Sequence, residues 1–150
     1  MNKSILGLFT ENEEKVARLY ELFSQKIHGY KGYWTKMAKE EFEHANLLEK
    51  LEYDFHGGDK YFDLKNYSKE IVENVGYFLD AKLREAKISK LSQKEALEIA
   101  MRIEQSIVED KSFEIFHPKE KRITKIFLKL NQDTRHHLQK LKKEFEKAKF

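Results

Sequence analysis

The chain has 150 residues, 40% of them hydrophobic, which is enough for a single domain (residues 1–150) with a buried core. One proline, six glycines and 37% charged residues predict an all-α fold whose helices have solvated outer faces. The absence of cysteine excludes disulfides and thiolate chemistry, and a net charge of +3 with both signs interleaved along the sequence predicts no nucleic-acid partner.

The first predicted helix begins at Ser4 or at Thr10 and ends near Ile27, ahead of Gly29. Glu13 lies inside the apolar stripe of this helix, so the fold should bury it. Two interpretations of Glu13 stay open. It is either a buried ligand or the last residue of a capping box that opens at Thr10, where its carboxylate accepts from backbone N–H groups.

The second predicted helix runs from Trp34 to about Tyr53 and is followed by a glycine-rich loop. Glu41 and His44 lie in the middle of its apolar stripe, and the Glu-x-x-His spacing places both on one face, one turn apart. Burying a lone carboxylate or imidazolium is costly unless it is paired or binds a metal. The pair is therefore either a buried salt bridge or half of a metal site.

Residues 60–91 form a long connection with a helix of its own that starts near Ser68. A connection of this length can serve as a crossover between two helix pairs of one bundle. The apolar positions that recur at helical spacing, and that we predict to be buried, are Ile71, Val75, Phe78, Leu79 and Leu83.

The next predicted helix opens with a capping box from Ser92 to Glu95 and continues to about Phe116. Its inner face includes Ala96, Ala100, Ile103 and Ile107. Glu104 lies beside these residues, and Lys111 falls on the same side seven residues later.

The last predicted helix starts near Pro118 and runs to about Ala148. His137 is centred in its apolar stripe, whereas His136 points about 120° away from Leu130 and should be exposed. Thr134 lies close to His137 on the same stripe and Asp133 lies at its edge. The two halves of the chain are alike, because Glu13 precedes His44 by 31 residues and Glu104 precedes His137 by 33.

The sequence resembles the ferritin-like family, most closely the di-iron domain of rubrerythrins, over nearly the whole chain. The resembling stretches are residues 13–20 (EEKVARLY), 41–45 (EFEHA) and 96–104 (ALEIAMRIE). The resemblance implies a ferritin-like four-helix bundle with a long helical crossover between its second and third helices. It also implies that four helices supply metal ligands, namely Glu13, Glu41, His44, Glu104 and His137.

The chain departs from the family pattern at one ligand position, since Thr134 occupies the place of the second Glu-x-x-His carboxylate. Asp133 is a candidate substitute ligand, which leaves occupancy of a second metal site open. Tyr20 and Lys111 are expected near the site, each seven residues after a lone glutamate. The missing cysteines also exclude an appended rubredoxin domain.

The resemblance implies two iron ions, with manganese as the alternative, and oxidation of iron by peroxide or dioxygen. Electrons would come from a separate donor protein or from ferrous iron itself, in a homodimer or higher homo-oligomer. Two other functions stay open: an iron-storage or sequestration oligomer, and a degenerate bundle that has lost metal and serves as a binding module. No apolar run approaches the roughly 20 residues of a membrane span, so we expect a cytoplasmic protein without a membrane partner.

Overall fold

The computed structural model describes residues 3–64, 69–110 and 119–148. These ranges contain five α-helices and no strand, which confirms the predicted all-α class. None of the helices in these ranges is both long enough and apolar enough to cross a membrane. The helices are α1 (Ile5–Lys26), α2 (Lys31–Asp54), α3 (Lys69–Ile88), α4 (Gln93–Asp110) and α5 (Lys121–Ala148), with one 3₁₀ turn at Asp59–Tyr61.

The chain divides into two compact units at Lys90. The first contains α1, α2 and α3, and the second contains α4 and α5. The single ferritin-like domain stays a prediction, and each unit is described separately.

Helix α1 begins at the earlier of its two predicted starts. Ser4 is the N-cap, and its Oγ accepts a hydrogen bond from the backbone N–H of Gly7 at 3.1 Å. Thr10 lies inside the helix, where its hydroxyl donates to the Leu6 carbonyl at 2.8 Å. The capping-box interpretation of Glu13 is therefore wrong, because no helix starts at Thr10.

Helices α2 and α3 both pack against α1 in the first unit. The centre of the α1–α2 contact is aromatic: the Trp34 ring lies 4.9 Å from that of Phe23 and 5.4 Å from that of Tyr20, centroid to centroid. All three side chains are fully buried. This aromatic core fixes how the two helices meet and hence which of their polar residues can approach each other.

The buried face of α3 differs from the predicted one. Leu79 is buried as predicted, but the other buried positions of α3 are Val72, Gly76 and Ala86. A Cβ on Gly76 would lie 2.9 Å from Asn12 Oδ1 of α1. The small residues let α3 approach α1 closely. The face of α3 that contacts α1 is therefore turned relative to the predicted face. As a result Ile71, Val75, Phe78 and Leu83 are only half-buried.

In the second unit, α4 begins at Gln93 and packs against α5. The predicted capping box is confirmed, since the Glu95 N–H donates to Ser92 Oγ at 3.1 Å and the Ser92 N–H donates to Glu95 Oε1 at 3.3 Å. Helix α5 begins at Lys121, slightly later than predicted, because the Glu120 carboxylate accepts from the Ile123 N–H at 2.8 Å and caps it. The predictions that concern Ser68, Lys111, Phe116 and Pro118 fall on residues outside the described ranges.

Candidate metal centre

Two acidic side chains and one imidazole meet in the interior of the first unit. Glu41 and His44 are buried on the inner face of α2, with 2% and 4% of their surface exposed, as their position in the apolar stripe predicts. Glu13 approaches them from α1, and 13% of its side chain is exposed. One potential ligand atom from each of the three residues lies within 4.8 Å of the other two.

The separations around His44 are compatible with three ligands of one cation. Its Nδ1 lies 3.5 Å from Glu41 Oε2 and 3.9 Å from Glu13 Oε2. Imidazole nitrogen and carboxylate oxygen bind an ion such as Zn²⁺ at about 2.0–2.2 Å, so two ligand atoms of one ion stand roughly 3–4 Å apart. The donor set of the first unit therefore fits a metal ion.

The second unit contains a similar arrangement with two potential ligands instead of three. Glu104 of α4 and His137 of α5 have 1% and 3% of their surface exposed. His137 Nδ1 lies 3.6 Å from Glu104 Oε1, a separation close to that between His44 and Glu41. His136 is exposed, which confirms the predicted register of α5.

The second unit has a hydroxyl at the position of the implied carboxylate, and the predicted substitute, Asp133, is in an ion pair. Thr134 is buried one turn before His137, where the resemblance implies a glutamate. Asp133 accepts a hydrogen bond from Lys129 Nζ at 2.7 Å. It would have to leave that ion pair to bind a metal, so its role as a substitute ligand stays a prediction.

The donor set restricts which metals the first unit could hold. It offers carboxylate oxygen and imidazole nitrogen without sulfur, which suits iron or manganese, while the zinc sites that use thiolates are excluded by composition. Two carboxylates beside one imidazole would offset the charge of a divalent ion. The burial of Glu41 and His44 would keep bulk water away from that ion.

Tyr20 is buried, and its predicted position near the site stays a prediction. It lies two helical turns from Glu13, about 10 Å along α1, and its side chain is fully buried. Its contact with Trp34 was not predicted from the sequence. Trp34 precedes Glu41 by seven residues on α2, just as Tyr20 follows Glu13 by seven on α1. These equal spacings of seven residues are the feature of the sequence from which the contact between Tyr20 and Trp34 could have been predicted.

Comparison with known proteins assigns no function to these residues. The chain matches no family model, no curated protein and no solved structure. The interpretation of the candidate centre therefore depends on the geometry of the side chains themselves.

Proposed function

We propose that the chain is a di-iron carboxylate protein of the ferritin-like, rubrerythrin type, which oxidises iron with peroxide or dioxygen. The observation that carries this proposal is that potential ligand atoms of Glu13, Glu41 and His44, from two different helices, lie within 4.8 Å of one another. Glu41 and His44 are buried, and Glu13 is partly buried. In the proposal each unit provides ligands for one ion. The second unit offers fewer ligands, Glu104 and His137. The family resemblance of residues 13–20, 41–45 and 96–104 supports the same assignment.

The roles of the chain's own residues follow from their chemistry. Glu13 and Glu41 offset the positive charge of the ions, and His44 and His137 each add a nitrogen ligand that holds iron or manganese without a thiolate. Bound iron would supply one-electron redox chemistry between the ferrous and ferric states. The surrounding apolar side chains limit access of water to the centre.

The experiment that tests the proposal measures metal binding first and oxidation second. Metal-free protein is titrated with ferrous iron under anaerobic conditions, and bound iron is measured after equilibrium dialysis. We expect at least one tightly bound ion per chain and a second, weaker one, with peroxide then consumed in proportion to the ferrous iron oxidised. Manganese in place of iron should compete for the same ligands. Less than one iron per chain would contradict the proposal.

One observation favours a second candidate function, a bundle that has lost metal and serves as a binding module. Thr134 is buried where a metal-binding carboxylate is implied, and a hydroxyl cannot neutralise a metal ion as a carboxylate does. The same titration separates this candidate from the first.

Size-exclusion chromatography tests the storage alternative, because a small oligomer is incompatible with a cage.

Replacing Thr134 with glutamate is expected to tighten binding of the weaker metal ion. The substitution would give the second unit the same set that the first unit has, two carboxylates and one imidazole, since Thr134 lies one turn before His137 and is buried. Without metal, the new buried carboxylate should lower the melting temperature, because its charge is desolvated. The measurement is the second ferrous dissociation constant of Thr134→Glu.

Gln132→Glu is the matched control, since it adds the same charge to an exposed position of the same helix. It should leave the second dissociation constant unchanged.

His137→Ala should lower metal content and His136→Ala should not. The opposite result for the two histidines would show that α5 presents a different face to the metal.

A further inference from the structure

Positive charge is concentrated on one helix of the chain, α5. It contains nine lysines and arginines but three acidic residues, whereas α2, which is nearly as long, contains four lysines and six acidic residues. All nine basic side chains of α5 are exposed, and of its acidic residues Glu146 alone is fully so. The small net charge of the whole chain hides this separation, because the rest of the sequence is slightly acidic.

Most of these cations form a straight row along the outer face of α5. The spacing is four residues from 121 to 129 and three or four residues from 140 to 147, with eleven residues between the two groups. At about 100° per residue all of them fall on one side of the helix, opposite the buried residues Ile123, Phe127 and Leu141. The row is about 39 Å long at 1.5 Å per residue. Lys129 is partly neutralised by Asp133, at 2.7 Å. We call this row the basic stripe; its residues are Lys121, Lys125, Lys129, Lys140, Lys143 and Lys147.

The chemistry of the basic stripe suits a linear polyanion. A membrane-surface helix inserts an apolar face into lipid, but the apolar face of α5 is already buried. The large apolar side chain that α5 does expose is Leu128, at 47%. A single strand of nucleic acid is bound through exposed aromatic rings on which bases stack, and in the described part of α5 no aromatic side chain is exposed. These observations favour contacts with phosphates of a duplex.

We propose that the basic stripe binds the phosphate backbone of duplex DNA without reading its sequence. Lysine and arginine supply the sequence-independent part of DNA binding by displacing counterions from phosphates. The proposal differs from our prediction of no nucleic-acid partner. That prediction used the small net charge and the mixed order of charges along the sequence, and it did not consider which charges share a face of a helix. The proposal is independent of the metal centre, since His137 and Thr134 are buried whereas every residue of the stripe is exposed.

The test measures the anisotropy of a labelled DNA duplex of about 20 base pairs as the full-length protein is added, over a series of salt concentrations. We expect binding at about 50 mM salt, with the logarithm of the association constant falling linearly with the logarithm of salt concentration. Replacing four stripe residues with glutamine, Lys121, Lys125, Lys140 and Lys143, should weaken binding at least about tenfold and reduce the slope by roughly 3–4.

A matched control removes the same number of charges elsewhere. Lys31, Lys36, Lys39 and Lys50 are exposed lysines of α2, and their replacement with glutamine changes the net charge equally. The control should retain most of the binding, and circular dichroism should show both variants folded. Equal loss in both variants would overturn the proposal in favour of a net-charge effect. Absence of binding by the unmodified protein, or binding to anionic lipid vesicles but not to DNA, would also overturn it.

Discussion

Glutamine in place of Glu41 is expected to lower the ferrous affinity of the first metal site by about 100-fold or more. Substitution of residues that only support a metal ligand already costs about 10–100-fold, and Glu41 is proposed as a ligand itself. The amide keeps the size of the side chain but removes the negative charge that lies 3.5 Å from His44. The measurement is the ferrous dissociation constant by anaerobic equilibrium dialysis.

The stability of the same variant gives a second, independent measurement. Without metal, Glu41→Gln should unfold at the same temperature as the unmodified protein or higher, because it removes one of two carboxylates whose oxygens lie within 4.8 Å of each other. A structural salt bridge between Glu41 and His44 would give the opposite result, a loss of stability. With iron at about 100 times the dissociation constant, the unmodified protein should gain about 2.7 kcal/mol and the variant much less. Glu43→Gln is the matched control, since Glu43 is exposed on the same helix. If both variants bound iron like the unmodified protein, Glu41 would not be a ligand.

The candidate ligands could be predicted from the sequence because helical periodicity determines which residues face inward. Glu41, His44 and His137 each interrupt an apolar stripe, and each is buried in the structure. The choice between His136 and His137 follows from the same periodicity, as one residue turns the side chain by about 100°. Periodicity therefore gives the inward residues of each helix, one helix at a time.

Contacts between helices are harder to predict, because they depend on shape as well as on the apolar pattern. The buried face of α3 is set by the close approach that Gly76 permits, and glycine does not register as an apolar position. The start of α1 had two possible caps, and the sequence did not distinguish Ser4 from Thr10. The concentration of positive charge on one face of α5 was not predicted. Basic and acidic residues alternate along the sequence, but in a helix residues three or four apart lie on the same face, so the basic ones come together there.

Replacing Trp34 with alanine is expected to destabilise the first unit by about 3–5 kcal/mol, the usual cost of removing a large aromatic side chain from a core. Trp34 is fully buried and lies in ring contact with Tyr20, Phe23 and Tyr33. Because Tyr20 and Phe23 belong to α1, the loss should loosen the α1–α2 contact that brings Glu13 to His44. We therefore expect weaker iron binding as well, although Trp34 is about 10 Å along α2 from Glu41.

Denaturation by urea, followed by far-ultraviolet circular dichroism, measures the change in stability, because the variant lacks the chain's one tryptophan as a fluorescent reporter. Trp34→Phe should recover part of both stability and iron affinity, since a ring still fills some of the space between the helices. Tyr53→Ala is the matched control: Tyr53 is an aromatic residue of the same helix with 83% of its surface exposed, so its removal should cost little. If Trp34→Ala lost stability but kept full iron affinity, the aromatic core would support the fold without positioning the metal ligands.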